Sequence, residues 1–327
     1  MIDKNSLVSR SANNLLKIFF ELLVIIHHLY CAKTVLGSNI RALLGPVAVG
    51  GFLFCSGYGI GISYKCKGDA YLKKLALVRV PSFYLIIIIT NLFYLAMFFL
   101  TGENFSSFGS IVISIFNLQM FSGYVNLSHW LYFISDLMLY YLLFVASMLV
   151  FKKRKNRLLL SSLSILILCF IIIAILSLIN HNTGSTRYLR ACVLFPIGII
   201  FSIYNDKLFE FIKQNKLNVD FSLLVVGITL FAFLNNRPMQ EYLICSIFVL
   251  FFIVLLCGIS FKSKMIDFSS KLVIYVYLSH ELFLNLTQHY FPTWSNWPVM
   301  LMTIFCSIIS AIIIFFVKKL IFQKKKI

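Results

Sequence analysis

Apolar runs of about 18–20 residues recur from one end of the chain to the other, separated only by short polar connections, which is the pattern of a bilayer-embedded protein. A bilayer offers no water to satisfy backbone N–H and C=O groups, so long apolar runs enter it as helices. The chain has 327 residues, 60% hydrophobic and 12% charged, and no stretch has the composition of a soluble domain. The expected fold is therefore all-α: a polytopic integral membrane protein of about ten transmembrane helices, with residues 1–327 forming a single membrane-embedded domain. The spans are expected at about 14–33, 45–63, 79–100, 130–151, 158–179, 188–204, 219–235, 241–259, 272–290 and 298–317. The apolar stretch 110–121 is too short to cross and reads as re-entrant or interfacial.

The net charge of +18 would suggest nucleic acid in a soluble protein, but its distribution argues otherwise. With the N-terminus inside and ten spans, all of the 29 Lys and Arg residues except Lys33, Arg41, Arg187, Arg190 and Arg237 fall on the cytoplasmic side. That is the positive-inside bias. It sets both termini of a multi-pass chain in the cytoplasm and leaves no charge pattern to explain by nucleic acid; the expected location is the plasma membrane. The N-terminal segment is polar and lacks a small-residue cleavage site, so 15–33 reads as a retained span rather than a signal peptide. The eight cysteines form no C-x-x-C pair and mostly lie within apolar runs, so they read as small buried hydrophobes, with no metal site or disulfide framework implied.

The first span, LLKIFFELLVIIHHLY at 15–30, carries polar groups that a lipid-facing helix would exclude. At about 100° per residue, Lys17, Glu21 and His28 fall on one stripe. Ionisable groups inside a membrane normally face protein or a water-filled cavity and mark a functional site. His28 has the chemistry of a general base or of an interhelical hydrogen bond. Glu21 lies about 10 Å below it along the axis, too far for contact unless another helix bridges them, and pairs in the plainest reading with Lys17. His27 is off the stripe. The second span holds glycines at 45, 50, 51, 57, 59 and 61, which permit close helix approach or local unwinding. Arg79, behind Lys73 and Lys74, opens the third span; it is either an interface anchor or part of a cationic mouth for a phosphorylated ligand, which arginine matches bidentately. Asp136, and His280 with Glu281, lie within later spans and are candidates of the same kind. No nucleophile elbow, zincin, P-loop or dinucleotide motif is present.

Several of these stretches, in order, resemble the membrane acyltransferase-3 family, whose bacterial members O-acetylate surface polysaccharides. A basic residue followed after ten residues by a histidine in the first span is matched by Lys17 and His28. The family's F-F-x-x-S-G-Y/F phrase is similar to FLFCSGY at Phe52–Tyr58. The arginine motif at the third span is similar to KKLALVRVPSFYL, with Arg79. Trp130 and Tyr140 match a tryptophan and a tyrosine opening a later span, and VIYVYLSH, ending in His280, matches a late S-x-x-x-Y-L-x-H phrase. The second arginine of the family's R-x-x-R is absent, since Ala76 and Ser82 flank Arg79 at that spacing, and the acidic phrase after the tryptophan is reduced to Asp136. The resemblance implies transfer of an acetyl group from cytoplasmic acetyl-CoA, a co-substrate rather than a bound cofactor, to a hydroxyl of a cell-surface or capsular polysaccharide or its lipid-linked precursor. It implies His28 and Glu21 as catalytic, Lys17, Arg79, Lys73 and Lys74 as donor-binding, and Ser56, Gly57, Tyr58, Trp130, Asp136 and His280 as lining the acyl passage or acceptor site. The alternative from another class is an exporter of a surface glycan or its lipid-linked precursor.

Overall fold

The computed structural model describes residues 6–32, 38–100, 108–116, 132–179, 193–232 and 238–323. The elements in order are α1 (Arg10–Ala32), α2 (Ser38–Lys67), α3 (Asp69–Lys74), a π-helical turn (Leu75–Arg79), α4 (Val80–Leu100), α5 (Phe108–Ile115), α6 (Tyr132–Val150), α7 (Arg157–Ile179), α8 (Leu194–Ile203), α9 (Asn205–Ala232), α10 (Pro238–Leu255), α11 (Lys264–Tyr290) and α12 (Asn296–Gln323). No strand occurs among the described residues. Pro196, Pro238 and Pro298 each lie in the first turn of a helix, where a missing N–H costs no intrahelical bond, whereas Pro81 follows the π turn inside an unbroken helical run. α11 is capped by the Ser263 side chain, which accepts from the Ile266 N–H.

Five stretches among the described residues are long and apolar enough to cross a membrane: Arg10–Leu29, Leu43–Lys67, Asp69–Met97, Asn205–Ala232 and Asn296–Lys318. The apolar stretches Asp136–Val150, Arg157–Ile172, Leu194–Ile203 and Leu243–Leu255 are shorter. Five of the ten expected spans are thus met by length and apolarity among the described residues. α11 is long, but its mid-helix polar groups lower its hydropathy. The residues expected to lengthen several of the other runs lie outside the described ones. The short element expected near 110–121 is the eight-residue α5.

Two expected connections are helical instead. Residues 64–78 continue α2 to Lys67, turn at Gly68, and resume as α3 and the π turn. Gly68 has φ +57°, a left-handed conformation that glycine adopts without strain. Residues 205–218 form the first half of α9, which kinks at Asn215 (φ −118°, ψ 21°). In both cases charged residues imitate a loop in composition, but they do not break a helix.

α2 is the centre of the bundle, packed against α1, α8 and α10. Its contact with α8 is backbone on backbone: a Cβ on Gly57 would lie 2.0 Å from the Phe195 carbonyl oxygen, and one on Gly198 would lie 2.4 Å from that of Phe54. Gly51 receives the Phe20 ring of α1 in the same way. α1 is therefore held between α2 and α11.

The N-terminal segment fixes the register of α1. Ser9 donates to the Ile259 carbonyl at 2.6 Å, the Phe261 N–H donates to Ser11 at 3.1 Å, and Asn14 donates to Asp267 at 2.8 Å. The start of α1 thus lies beside the start of α11, while Leu29 and Leu284 share an apolar cluster further along. The two helices run parallel, which brings their mid-span polar residues to the same depth.

Candidate active site

Two histidines and two glutamates meet where α1 and α11 pack. Glu21, His28, His280 and Glu281 are 4%, 9%, 2% and 2% exposed. They pair across the seam rather than along their own helices. His28 Nδ1 lies 3.7 Å from Glu281 Oε2, and His280 Nδ1 lies 3.9 Å from Glu21 Oε1. The two imidazole rings are 5.2 Å apart. His280 is therefore the bridge that Glu21 and His28 require, supplied by another helix. Lys17 does not take Glu21 as a partner among the described ion pairs; it faces a cavity below.

The tautomer of His280 follows from its neighbour. Its Nδ1 lies 2.8 Å from the Tyr277 carbonyl oxygen, an acceptor only, so Nδ1 carries the proton and Nε2 is the other, chemically active nitrogen. Nε2 meets no hydrogen-bond partner among the described residues, and neither carboxylate oxygen of Glu21 meets a donor. Tyr94 of α4 closes one side: its hydroxyl accepts from the Leu282 N–H at 3.0 Å. His27, off the stripe, packs against Gly45 of α2.

Holding such groups in a bilayer-embedded bundle is expensive. An isolated Asp, Lys or Arg at mid-span costs about 2.5–3.5 kcal/mol on insertion scales, and apolar side chains would fill the same volume. The polar cluster therefore points to chemistry. Donor atoms of His28, His280 and Glu281 lie within 4.8 Å of one another. The pairing of each histidine with a carboxylate suits proton transfer.

A cavity of about 1310 Å³ lies below the cluster, toward the basic ends of α1, α2, α11 and α12. Arg10, Lys17, Arg79 and Lys318 supply four cations to its wall. Arg79 donates to the Tyr71 hydroxyl at 3.2 Å and stands over that ring. The inner end is aromatic: Phe52, Phe133 and Tyr277 line it and pack on one another with centroids 5.3–6.3 Å apart. Tyr277 also touches the His280 ring, at 5.6 Å between centroids. A cationic vestibule thus ends at an aromatic wall directly beneath the histidines.

The residues singled out in the sequence are distributed unevenly around this site. Lys17, Arg79 and Ser56 line the cavity, Ser56 within reach of Tyr141. Glu21, His28 and His280 form the cluster. Lys73 and Lys74 are exposed and do not line the cavity. Gly57 serves packing against α8, and Tyr58 turns away from the cavity, donating to Asn205 at 2.6 Å and accepting from the Val8 N–H at 3.3 Å. Asp136 is buried beside the cavity-lining Phe133 and Leu137 but does not itself line it. Trp130 lies outside the described residues. The sequence alone leaves Arg10 and Lys318 among the positive-inside charges and does not pair Glu281 with His28; residue type does not separate a vestibule cation from an interface anchor.

No curated protein and no solved structure matches the chain. A family model described as an acyltransferase domain does, over residues 11–318. This match takes in the paired histidines of α1 and α11 and, Arg10 apart, the vestibule cations: the chain belongs to the acyltransferase-3 family.

Proposed function

We propose that this membrane acyltransferase is an O-acetyltransferase that moves an acetyl group from cytoplasmic acetyl-CoA to a hydroxyl of a cell-surface or capsular polysaccharide, or of its lipid-linked precursor. The observation that carries the reading is the vestibule of Arg10, Lys17, Arg79 and Lys318, ending one helical turn below His280. A phosphorylated, elongated donor suits such a space. Its phosphates meet cations at the wide end, and its thin arm carries the thioester past Phe52, Phe133 and Tyr277. The basic end is the cytoplasmic end in this reading, with ten crossings of the plasma membrane.

The chemistry then falls to His28. With Nδ1 turned toward the Glu281 carboxylate, Nε2 holds the lone pair. It takes the proton of the acceptor hydroxyl as the oxygen attacks the thioester carbonyl. The alternative order, in which the nitrogen itself first accepts the acetyl group, uses the same geometry. The pair distance of 3.7 Å is long for a hydrogen bond, as catalytic pairs often are before substrate tightens them.

The test is the O-acetyl content of the host's surface polysaccharide by proton NMR, comparing the native chain with His28→Ala at matched membrane level. Loss of the acetyl signals with polymer amount and length unchanged supports the transferase. Unchanged acetylation with loss of surface polymer would favour the exporter instead.

A further inference from the structure

The transferase reading uses one histidine, yet the site holds two, each with its Nδ1 directed at an oxygen acceptor. His28 faces Glu281, and His280 faces the Tyr277 carbonyl with Glu21 beyond it. Their positions differ in one respect. His280 follows Tyr277 by one turn, and Tyr277 lines the donor vestibule while touching the His280 ring. His280 therefore stands between the vestibule and His28. A thioester rising from the vestibule brings its sulfur past Tyr277 and toward His280 Nε2, while its carbonyl carbon goes on to His28.

Resting on the transferase reading, we propose that His280 is the acid that protonates the departing thiolate, and that Glu21, 3.9 Å from the ring that the Tyr277 carbonyl holds, is a positioning residue that balances its charge while it carries the extra proton. The proton balance closes. His28 Nε2 takes the proton of the acceptor hydroxyl as the acceptor oxygen bonds to the carbonyl carbon; that proton passes, through the substrate pocket or a water, to Nε2 of His280, whose ring is 5.2 Å away; and as the C–S bond breaks the sulfur takes it from His280 Nε2, leaving as a thiol. Both histidines return to their starting states, with Glu21 and Glu281 facing the two rings across the seam. Among the described residues, the other titratable groups facing the cluster are His27 on α1, Tyr277 on α11 and Tyr94 on α4. None of them stands between the vestibule and His28 with a nitrogen to give a proton. A division of labour also accounts for the parallel packing of α1 and α11: the acceptor-side base and the donor-side acid come from different helices at one depth.

A merely structural His280 would lose activity in the same proportion with every donor, whereas an acid for the leaving group loses most with the poorest leaving group. The experiment uses membrane vesicles containing the full chain and its native acceptor. It compares acetyl-CoA with the analogue in which oxygen replaces the sulfur, a poorer leaving group on an arm of nearly the same length. His280→Gln is expected to slow transfer from acetyl-CoA by about 10²–10⁴-fold, the usual worth of a general acid, and to slow the oxygen ester at least tenfold more. Glu21→Gln should show the same donor dependence to a smaller degree, and His28→Gln none. Equal losses with both donors in His280→Gln, or an acetyl-CoA rate within threefold of native, would overturn the assignment. Failure of the native chain to transfer acetyl from either donor would overturn the transferase reading itself, a separate result.

Discussion

Glu281 on α11 faces Nδ1 of His28 on α1 across the helix seam, although 253 positions separate them in the chain. In the proposed reaction the Glu281 carboxylate would steady the imidazolium formed on proton transfer. Glu281→Gln is expected to lower kcat by on the order of 10²–10⁴-fold with the KM for acetyl-CoA nearly unchanged, since Glu281 does not line the donor vestibule. Steady-state rates in vesicles, with Glu281→Asp as a partial rescue, check this.

The vestibule cations should govern donor affinity and leave the chemical step alone. Lys17→Gln, deep in the wall, is expected to raise the donor KM by about tenfold, the equivalent of 1.4 kcal/mol. The exposed Arg79 should contribute less, within the roughly 0–1 kcal/mol of exposed ion pairs. Added salt should raise the native KM in the same direction. Lys73→Gln and Lys74→Gln should leave it within twofold, because neither lines the cavity; a large effect of either would move the donor site outward.

Two neighbouring glycines of α2 should respond in opposite ways. Gly57→Ala drives a methyl into the Phe195 carbonyl, whereas a Cβ added at Gly59 would meet nothing within 4 Å. Gly57→Ala is expected to destabilise by at least the roughly 1–3 kcal/mol typical of overpacking, read as a lower thermal midpoint in detergent. Gly59→Ala should keep the native midpoint.

Tyr58→Phe removes the bond to Asn205 and the acceptor for the Val8 N–H. The expected loss is about 1–2 kcal/mol of stability, with donor KM unchanged. A raised KM at native stability would return Tyr58 to the passage.

The membrane class, the polar stripe of α1 and the family are legible in the sequence because each rests on local pattern: apolar run length, 100° periodicity, short phrases in order. The pairing of His28 with Glu281 is not, because it depends on the parallel register of two helices that Ser9, Ser11 and Asn14 set through contacts far along the chain. The vestibule cations Arg10 and Lys318 are hidden for another reason. They carry the same charge, at the same end of their helices, as residues that only anchor the interface. The helices at 64–78 and 205–218 are masked because charge density resembles a loop in composition, while only Gly68 and the Asn215 kink change the backbone there.

The stitching of Ser9 to Ile259 spans 250 positions, and this has a consequence for how the protein is made. α1 is synthesised first, but the helix that completes its polar face comes almost last. Throughout synthesis the nascent chain holds Glu21 and His28 in or near the bilayer without Glu281 and His280. A chain truncated before α11 carries these groups without partners, so it should be retained by the insertion machinery or degraded. Assembly would thereby act as its own quality control, since no chain that stops short of α11 contains either pair.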